Sequence, residues 1–156
     1  MRCCKSEINS NQQYLYDSLI IDKMGVCGCH EVVIGRKPLT HGHEIVDFLT
    51  YDTKNIFRAY EIKVSKADLK SSAKLSFVGH YNYLVLPRNL YEEVKYTDLS
   101  SILKQENVGI VIIGEGIIRK SGRKTLTMGD NVMLMDSLNC ALNRENVKIR
   151  RGKRLS

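Results

Sequence analysis

The chain has 156 residues, with 24 Lys and Arg against 17 Asp and Glu, a hydrophobic fraction of 43% and a charged fraction of 26%. A chain of that size buries enough apolar surface for one core, and its composition excludes wholesale disorder and collagen-like repeats. No apolar run approaches the roughly 20 residues of a membrane-spanning helix, and the start, MRCCKSEINSNQQ, has no apolar segment behind its basic residues, so a soluble, cytoplasmic single domain without a secretory signal is expected.

In chain order, Ile8, Tyr14, Leu15, Leu19 and Ile20 recur at helical spacing and predict an amphipathic helix over residues 6–23. Residues 26–34 alternate loosely and end at Gly35, with Pro38 behind, which predicts a strand and a turn. His43 to Tyr51 and Ile56 to Val64 read as two more strands around the polar turn Asp52-Thr53-Lys54-Asn55. So short a connection makes them an antiparallel hairpin. Ser65 then opens a helix, with Asp68 three residues on in the pattern of a capping box.

Tyr81 to Leu86 is a short apolar strand closed by Pro87, and helical stretches follow near residues 88–95 and 98–105. Val108 to Ile113 is the most apolar run and reads as a strand buried on both faces, continued by Ile117 and Ile118 up to a turn at Ser121-Gly122. Asp130 is placed to cap a last helix carrying Val132, Met135, Leu138 and Leu142. Meandering strands before a βαβ-like half predict an α/β fold with a mixed central sheet, antiparallel then parallel, flanked by helices.

The positive charge is unevenly placed. Residues 148–156 hold Lys148, Arg150, Arg151, Lys153 and Arg154 and no acid, so five of the seven excess charges lie there. The segment is expected to leave the fold as a basic tail that binds a phosphate backbone without reading sequence. The five cysteines, an odd number, predict free thiols in a reducing compartment. Cys27, Cys29 and His30, with His41 and His43 following, invite a zinc reading. In a strand, however, Cys27 and Cys29 share one face while His30 takes the other, so buried strand cysteines are favoured.

The chemistry concentrates on the hairpin. In its second strand Glu61 and Lys63 emerge on one face, and the preceding strand brings Asp47 alongside. Two crowded carboxylates repel unless a cation compensates, and Mg²⁺ accepts a few carboxylate oxygens together with water and phosphate oxygens. With Lys63 beside them, they form an inventory for phosphodiester hydrolysis. The tripeptide E-x-K means little by itself, since Glu93-Val94-Lys95 repeats it in a predicted helix without an acidic strand upstream. Lys66, Lys70 and Lys74 recur every four residues and line one face of the helix after the motif.

The series Ile45-Val46-Asp47, thirteen residues, then Glu61-Ile62-Lys63-Val64-Ser65-Lys66-Ala67-Asp68 resembles the PD-(D/E)XK nuclease superfamily, with its restriction-endonuclease-like fold. The stretch EIKVSKADL followed by GHYNYLVLP is similar to small bacterial and phage MmcB-type DNA repair proteins. The resemblance covers residues 40–90 and, beyond them, the order of elements; Val46 stands where a Pro often precedes the Asp. It implies that Asp47 and Glu61 ligate Mg²⁺ or Mn²⁺, that the carbonyl of Ile62 adds a ligand, that Lys63 is catalytic, and that an acid on the first helix, here Glu7, completes the site.

The expectation is a metal-dependent DNA endonuclease in repair or in phage or mobile-element DNA processing, with residues 1–147 as one nuclease-like domain. Ser65, Lys66, Lys70, Lys74, Lys148, Arg150 and Arg151 are the expected DNA contacts. So small a chain leaves target selection to loops, a homodimer partner or another protein. The alternatives are a catalytically silent nucleic-acid-binding module of the same fold and a zinc-stabilised interaction protein.

Overall fold

The computed structural model describes residues 10–11, 13–15, 17–18, 23–35, 44–71, 77–97, 101, 103–104 and 106–154. Six strands, β1 (Val26–Ile34), β2 (Glu44–Asp52), β3 (Phe57–Ile62), β4 (Tyr81–Leu86), β5 (Gly109–Ile112) and β6 (Gly116–Arg119), form one sheet in chain order. Three helices complete the described elements: α1 (Lys66–Ser71), α2 (Arg88–Val94) and α3 (Met128–Arg154). β1, β2 and β3 pair antiparallel, β3, β4 and β5 pair parallel, and β6 returns antiparallel on β5. The chain is therefore an α/β fold with a mixed sheet.

Local chemistry accounts for the connections. Asp52 closes the β2–β3 hairpin by accepting the amides of Lys54 and Ile56 at 2.9 and 3.1 Å, while Asn55 takes the left-handed position at φ 60°. Parallel strands need longer crossovers, which α1 and α2 supply. Gly109 is required by close approach: a Cβ there would lie 2.5 Å from the Tyr83 ring and 2.7 Å from the Ser121 amide.

Both faces of the sheet are covered. On one face Leu134, Leu138 and Ala141 of α3 pack on Cys29, Val32, Val46, Leu49, Phe57 and Ala59. Farther along that face, Leu69 of α1 and Leu90 and Val94 of α2 cover Leu84, Leu86, Ile110 and Ile112. The other face carries Phe48, Tyr60, Ile62, Tyr83, Val85 and Val111 under Leu15, which lies in a helical stretch near the N-terminus. Among the described residues no helix is long and apolar enough to cross a membrane.

Four expectations are corrected. Ile117 and Ile118 do not prolong the buried strand; Gly114 and Gly116, at φ 83° and 95°, turn the chain back into the separate edge strand β6. Thr127, not Asp130, caps α3: its hydroxyl accepts the Asp130 amide at 3.1 Å and the Asp130 carboxylate accepts the Thr127 amide at 2.9 Å, a reciprocal box. Val132 stays exposed, because Leu134, Leu138 and Ala141 are the positions that face the sheet. The basic segment does not leave the fold as a tail, since α3 runs on to Arg154. Arg and Lys are good helix formers and cations suit a helix C-terminus, so charge prolongs the helix after burial ends.

Gly109→Ala is predicted to destabilise the protein by about 1–3 kcal/mol through overpacking against Tyr83, read from the midpoint of urea denaturation; an unchanged midpoint would contradict the close packing of β5 on β4.

Candidate active site

The site starts from an interruption of strand regularity. Cys29 and Val32 in β1, and Val46 and Leu49 in β2, are three residues apart yet enter one core cluster. A strict period of two would send each pair to opposite faces. The phase change falls at Glu31, which adopts φ 50°, and at Asp47 opposite it; the register passes from His30↔Phe48 to Val32↔Val46 without pairing these two. Such bulge-like irregularities re-aim side chains beside functional sites.

Helix α3 holds this irregularity. Successive carbonyls alternate sides in a regular strand, yet the guanidinium of Arg144 donates to both His30 O at 3.0 Å and Glu31 O at 3.2 Å. The left-handed residue turns both oxygens toward one donor, and the two-pronged guanidinium suits that geometry.

On its other side Asp47 faces β3. The β2–β3 ladder runs from Tyr51↔Phe57 to Phe48↔Tyr60 and stops, so Asp47 and Glu61, the next pair in register, stand where the strands part. The Asp47 carboxylate accepts the Ile62 amide at 2.7 Å, taking the place of a ladder bond. β3 meanwhile stays on β4, with Ile62 opposite Val85 and the Lys63 amide donating to Val85 O at 3.0 Å. A residue's N–H and C=O point to the same side of an extended strand, which turns the Ile62 carbonyl toward β2, the side of Asp47.

The Asp47 and Glu61 carboxyls lie close enough to interact at the facing positions where the ladder stops, and two ionised carboxyls so placed repel unless a proton or a cation intervenes. Glu61 is buried between Ala59, under α3, and Leu84, under α1 and α2, at the seam of the two helix groups. Burial raises the Asp47 carboxyl above its ordinary value; the Ile62 amide and the Lys63 charge oppose the rise, and Asp68 adds to it. Lys63, largely buried, places its ammonium 3.8 Å from the Asp68 carboxylate. Asp47 and Asp68 thus share one lysine, with the buried Glu61 beside Asp47, an excess of acids in a partly dry place.

That donor set fits a hard divalent cation. Two carboxylates on adjacent strands and a main-chain carbonyl on the same side are oxygen ligands, and Mg²⁺ takes one or two carboxylates while keeping waters. Among the described residues no group of three or more His, Cys, Asp or Glu is placed to hold a metal by itself, so water or phosphate oxygens would fill the remaining positions.

Not every expected residue joins the cluster. The Ser65 hydroxyl accepts the Asp68 amide at 3.1 Å and is engaged as the α1 cap. Asp68 returns the bond to the Val64 amide at 3.2 Å, one residue earlier than a standard box. Lys66 and Lys70 are exposed on α1, Lys66 in an ion pair with Glu93 at 2.9 Å, an interaction worth about 0–1 kcal/mol at an exposed site. Lys148 pairs with Glu145 at 2.8 Å, Arg150 donates to Asn146 at 3.3 Å, and Arg151 is exposed on the same stretch of α3. Glu7 and Lys74 lie outside the described residues, as do His41 and His43.

The zinc reading has no support among the described residues, for Cys29 is buried against α3 while the His30 ring lies 4.6 Å from that of Phe48 on the other face. The second E-x-K is a solvated face of α2, with Lys95 paired to Glu92 and Val94 buried. Sequence reasoning missed Arg144 and Glu31, and it read Asp68 only as a cap. The five-residue offset of Asp68 from Lys63, about one helical turn past a strand end, was the available signal for their pairing.

The sign of the Asp47 shift gives a prediction. A carboxyl raised in the fold stays protonated while its unfolded counterpart ionises, so its stabilisation holds in acid and is lost as pH rises past the ordinary value of 3.8. Asp47→Asn, which keeps an acceptor for Ile62, is expected to melt higher than the parent at neutral pH in EDTA, the gap widening as pH rises above the ordinary carboxyl value; a lower melting temperature at neutral pH would contradict the assignment. Arg144→Met is expected to cost about 1–2 kcal/mol in urea denaturation, as loss of charge-assisted bonds to carbonyls does; unaltered stability would show that the bulge stands without it.

No family model matches the chain, and no curated protein matches it. Among solved structures it is similar to SPO1766, a protein of unknown function from Silicibacter pomeroyi, with a TM-score of 0.62 and 16% identity over 83% of this chain and 82% of that one. At this identity the two share the fold.

Proposed function

We propose that the chain is a divalent-metal-dependent deoxyribonuclease of the PD-(D/E)XK type, acting in DNA repair or in phage or mobile-element DNA processing. The observation that carries this reading is the gathering of Asp47, Glu61 and Lys63 where β2 and β3 part, with the Asp47 carboxylate fixed by the Ile62 amide. Held by Asp47, Glu61 and the Ile62 carbonyl, Mg²⁺ or Mn²⁺ would lower the pKa of a bound water and offset charge on the scissile phosphate.

The chain's own groups supply the rest. The Ile62 amide fixes the Asp47 carboxylate, so the acid is oriented before substrate arrives. Lys63 reaches the same place on a nearly buried stem, restrained by Asp68. Its ammonium donates to a phosphate oxygen and offsets the negative charge that grows as water adds to phosphorus and the P–O bond to the leaving oxygen breaks. Lys66 and Lys70 on α1, immediately after the motif, and the exposed basic end of α3 with Lys148, Arg150 and Arg151 would contact the phosphate backbone. Selection of the target falls to a second copy or a partner protein.

Supercoiled plasmid incubated with Mg²⁺, Mn²⁺ or EDTA tests the proposal. Nicking is expected with either metal and not with EDTA, and Lys63→Ala or Asp47→Ala should slow it at least about a hundredfold, as removal of a transition-state donor does. Nicking undiminished in both variants would contradict the nuclease reading. Salt-dependent DNA binding without cleavage under any metal would instead identify a silent binding module.

A further inference from the structure

At the opposite end of β3 from Glu61, the β2–β3 turn, the start of β4 and the first turns of α3 enclose a cleft of about 480 Å³, within the range of about 300–1,000 Å³ for small-molecule sites. One wall is Tyr51 and Ile56 from the hairpin; the other is Met128 and Val132 from α3, both exposed. Methionine adapts its shape to a flat ring at little cost.

The charged and ring polar groups of the cleft are donors, while its two amides are engaged locally, Asn55 accepting the Tyr51 hydroxyl and Asn131 donating to Thr127 O at 2.9 Å. Lys54 and Arg123 line it, exposed, and neither side chain has a hydrogen-bond or ion-pair partner among the described residues. His80 is buried, and its Nδ1 accepts the Phe57 amide at 3.0 Å. Nδ1 being the acceptor, Nε2 of the neutral ring carries the hydrogen; it has no partner among the described residues. Burial, with the charges of Arg123 and Arg58, pushes this imidazole below its ordinary value, so it stays a neutral donor near pH 7.

No acid lines the cleft. Of the acids next to it in sequence, Asp52 is engaged by Arg58 at 2.6 Å and by the two turn amides, and Asp130 is engaged by the Thr127 amide and hydroxyl.

We propose that this cleft is a second site, which binds a planar aromatic ring bearing an anionic group, of the size of a nucleoside monophosphate. The ring lies between the hairpin wall and α3, and the anion meets Lys54, Arg123 and the His80 Nε2–H. The site is independent of the nuclease reading, because it shares no residue with the Asp47 cluster.

Titration of the isotope-labelled protein with thymidine monophosphate, followed by amide NMR, tests it. Saturable shifts are expected at Phe57, Arg123 and Val132, with affinity at least tenfold above that of thymidine, which lacks the anion, and of inorganic phosphate, which lacks the ring. Arg123→Glu and Lys54→Glu, both at exposed positions, should each weaken binding at least tenfold with an unchanged melting temperature, and Lys63→Ala should leave it unaltered. Shifts absent from the cleft, shifts confined to the Lys63 region, equal affinity for phosphate or thymidine, or full affinity in Arg123→Glu would each overturn the proposal.

Discussion

The hydrogen bond from the Ile62 amide to the Asp47 carboxylate stands where a backbone bond between β2 and β3 would continue the ladder. Buried amides are nearly always satisfied, so once the strands part, something must meet this donor. A carboxylate does so, and its position becomes fixed by the sheet. The parting coincides with an irregularity on the far side of β2, where the left-handed Glu31 shifts the phase of β1 and Arg144 of α3 ties down the carbonyls of His30 and Glu31. A contact between a helix and an edge strand thus bears on where an acid sits two strands into the sheet.

The electrostatics follow from that placement. Asp47 and Glu61 are drawn together by backbone geometry despite their repulsion, and Lys63 is shared with Asp68. Burial pushes the Asp47 carboxyl upward, so without a cation the cluster favours the protonated form more than an exposed carboxyl does. A divalent ion would replace that proton with two charges and six oxygen positions, only some of which the protein fills. Under the proposed function, the remaining positions would go to a ligand that brings its own oxygens, such as a phosphodiester.

Much of this was legible in the residues. Apolar period, Pro87 and the polar run Asp52–Asn55 placed β1 and β4 at their observed bounds and β2, β3 and β5 within two residues, because those signals are local. Asp47, Glu61 and Lys63 could be brought together by alternation and hairpin register alone. What stayed hidden was non-local. Glu31 is not a residue type that announces a positive φ, and Arg144 reaches it across more than one hundred residues. The end of α3 was misread because a charge run looks solvated whether coiled or helical, and only the absence of a breaker before Gly152 favoured the helix.

The central claim is that Asp47 and Glu61 grip one divalent ion at the point where β2 and β3 part. Paramagnetic Mn²⁺, added substoichiometrically to labelled protein, broadens amide resonances near its binding site. The account predicts selective broadening of Asp47, Ile62 and Lys63 that Mg²⁺ reverses and Glu61→Gln abolishes. Broadening that is absent there, or that persists unchanged in Glu61→Gln, would contradict it.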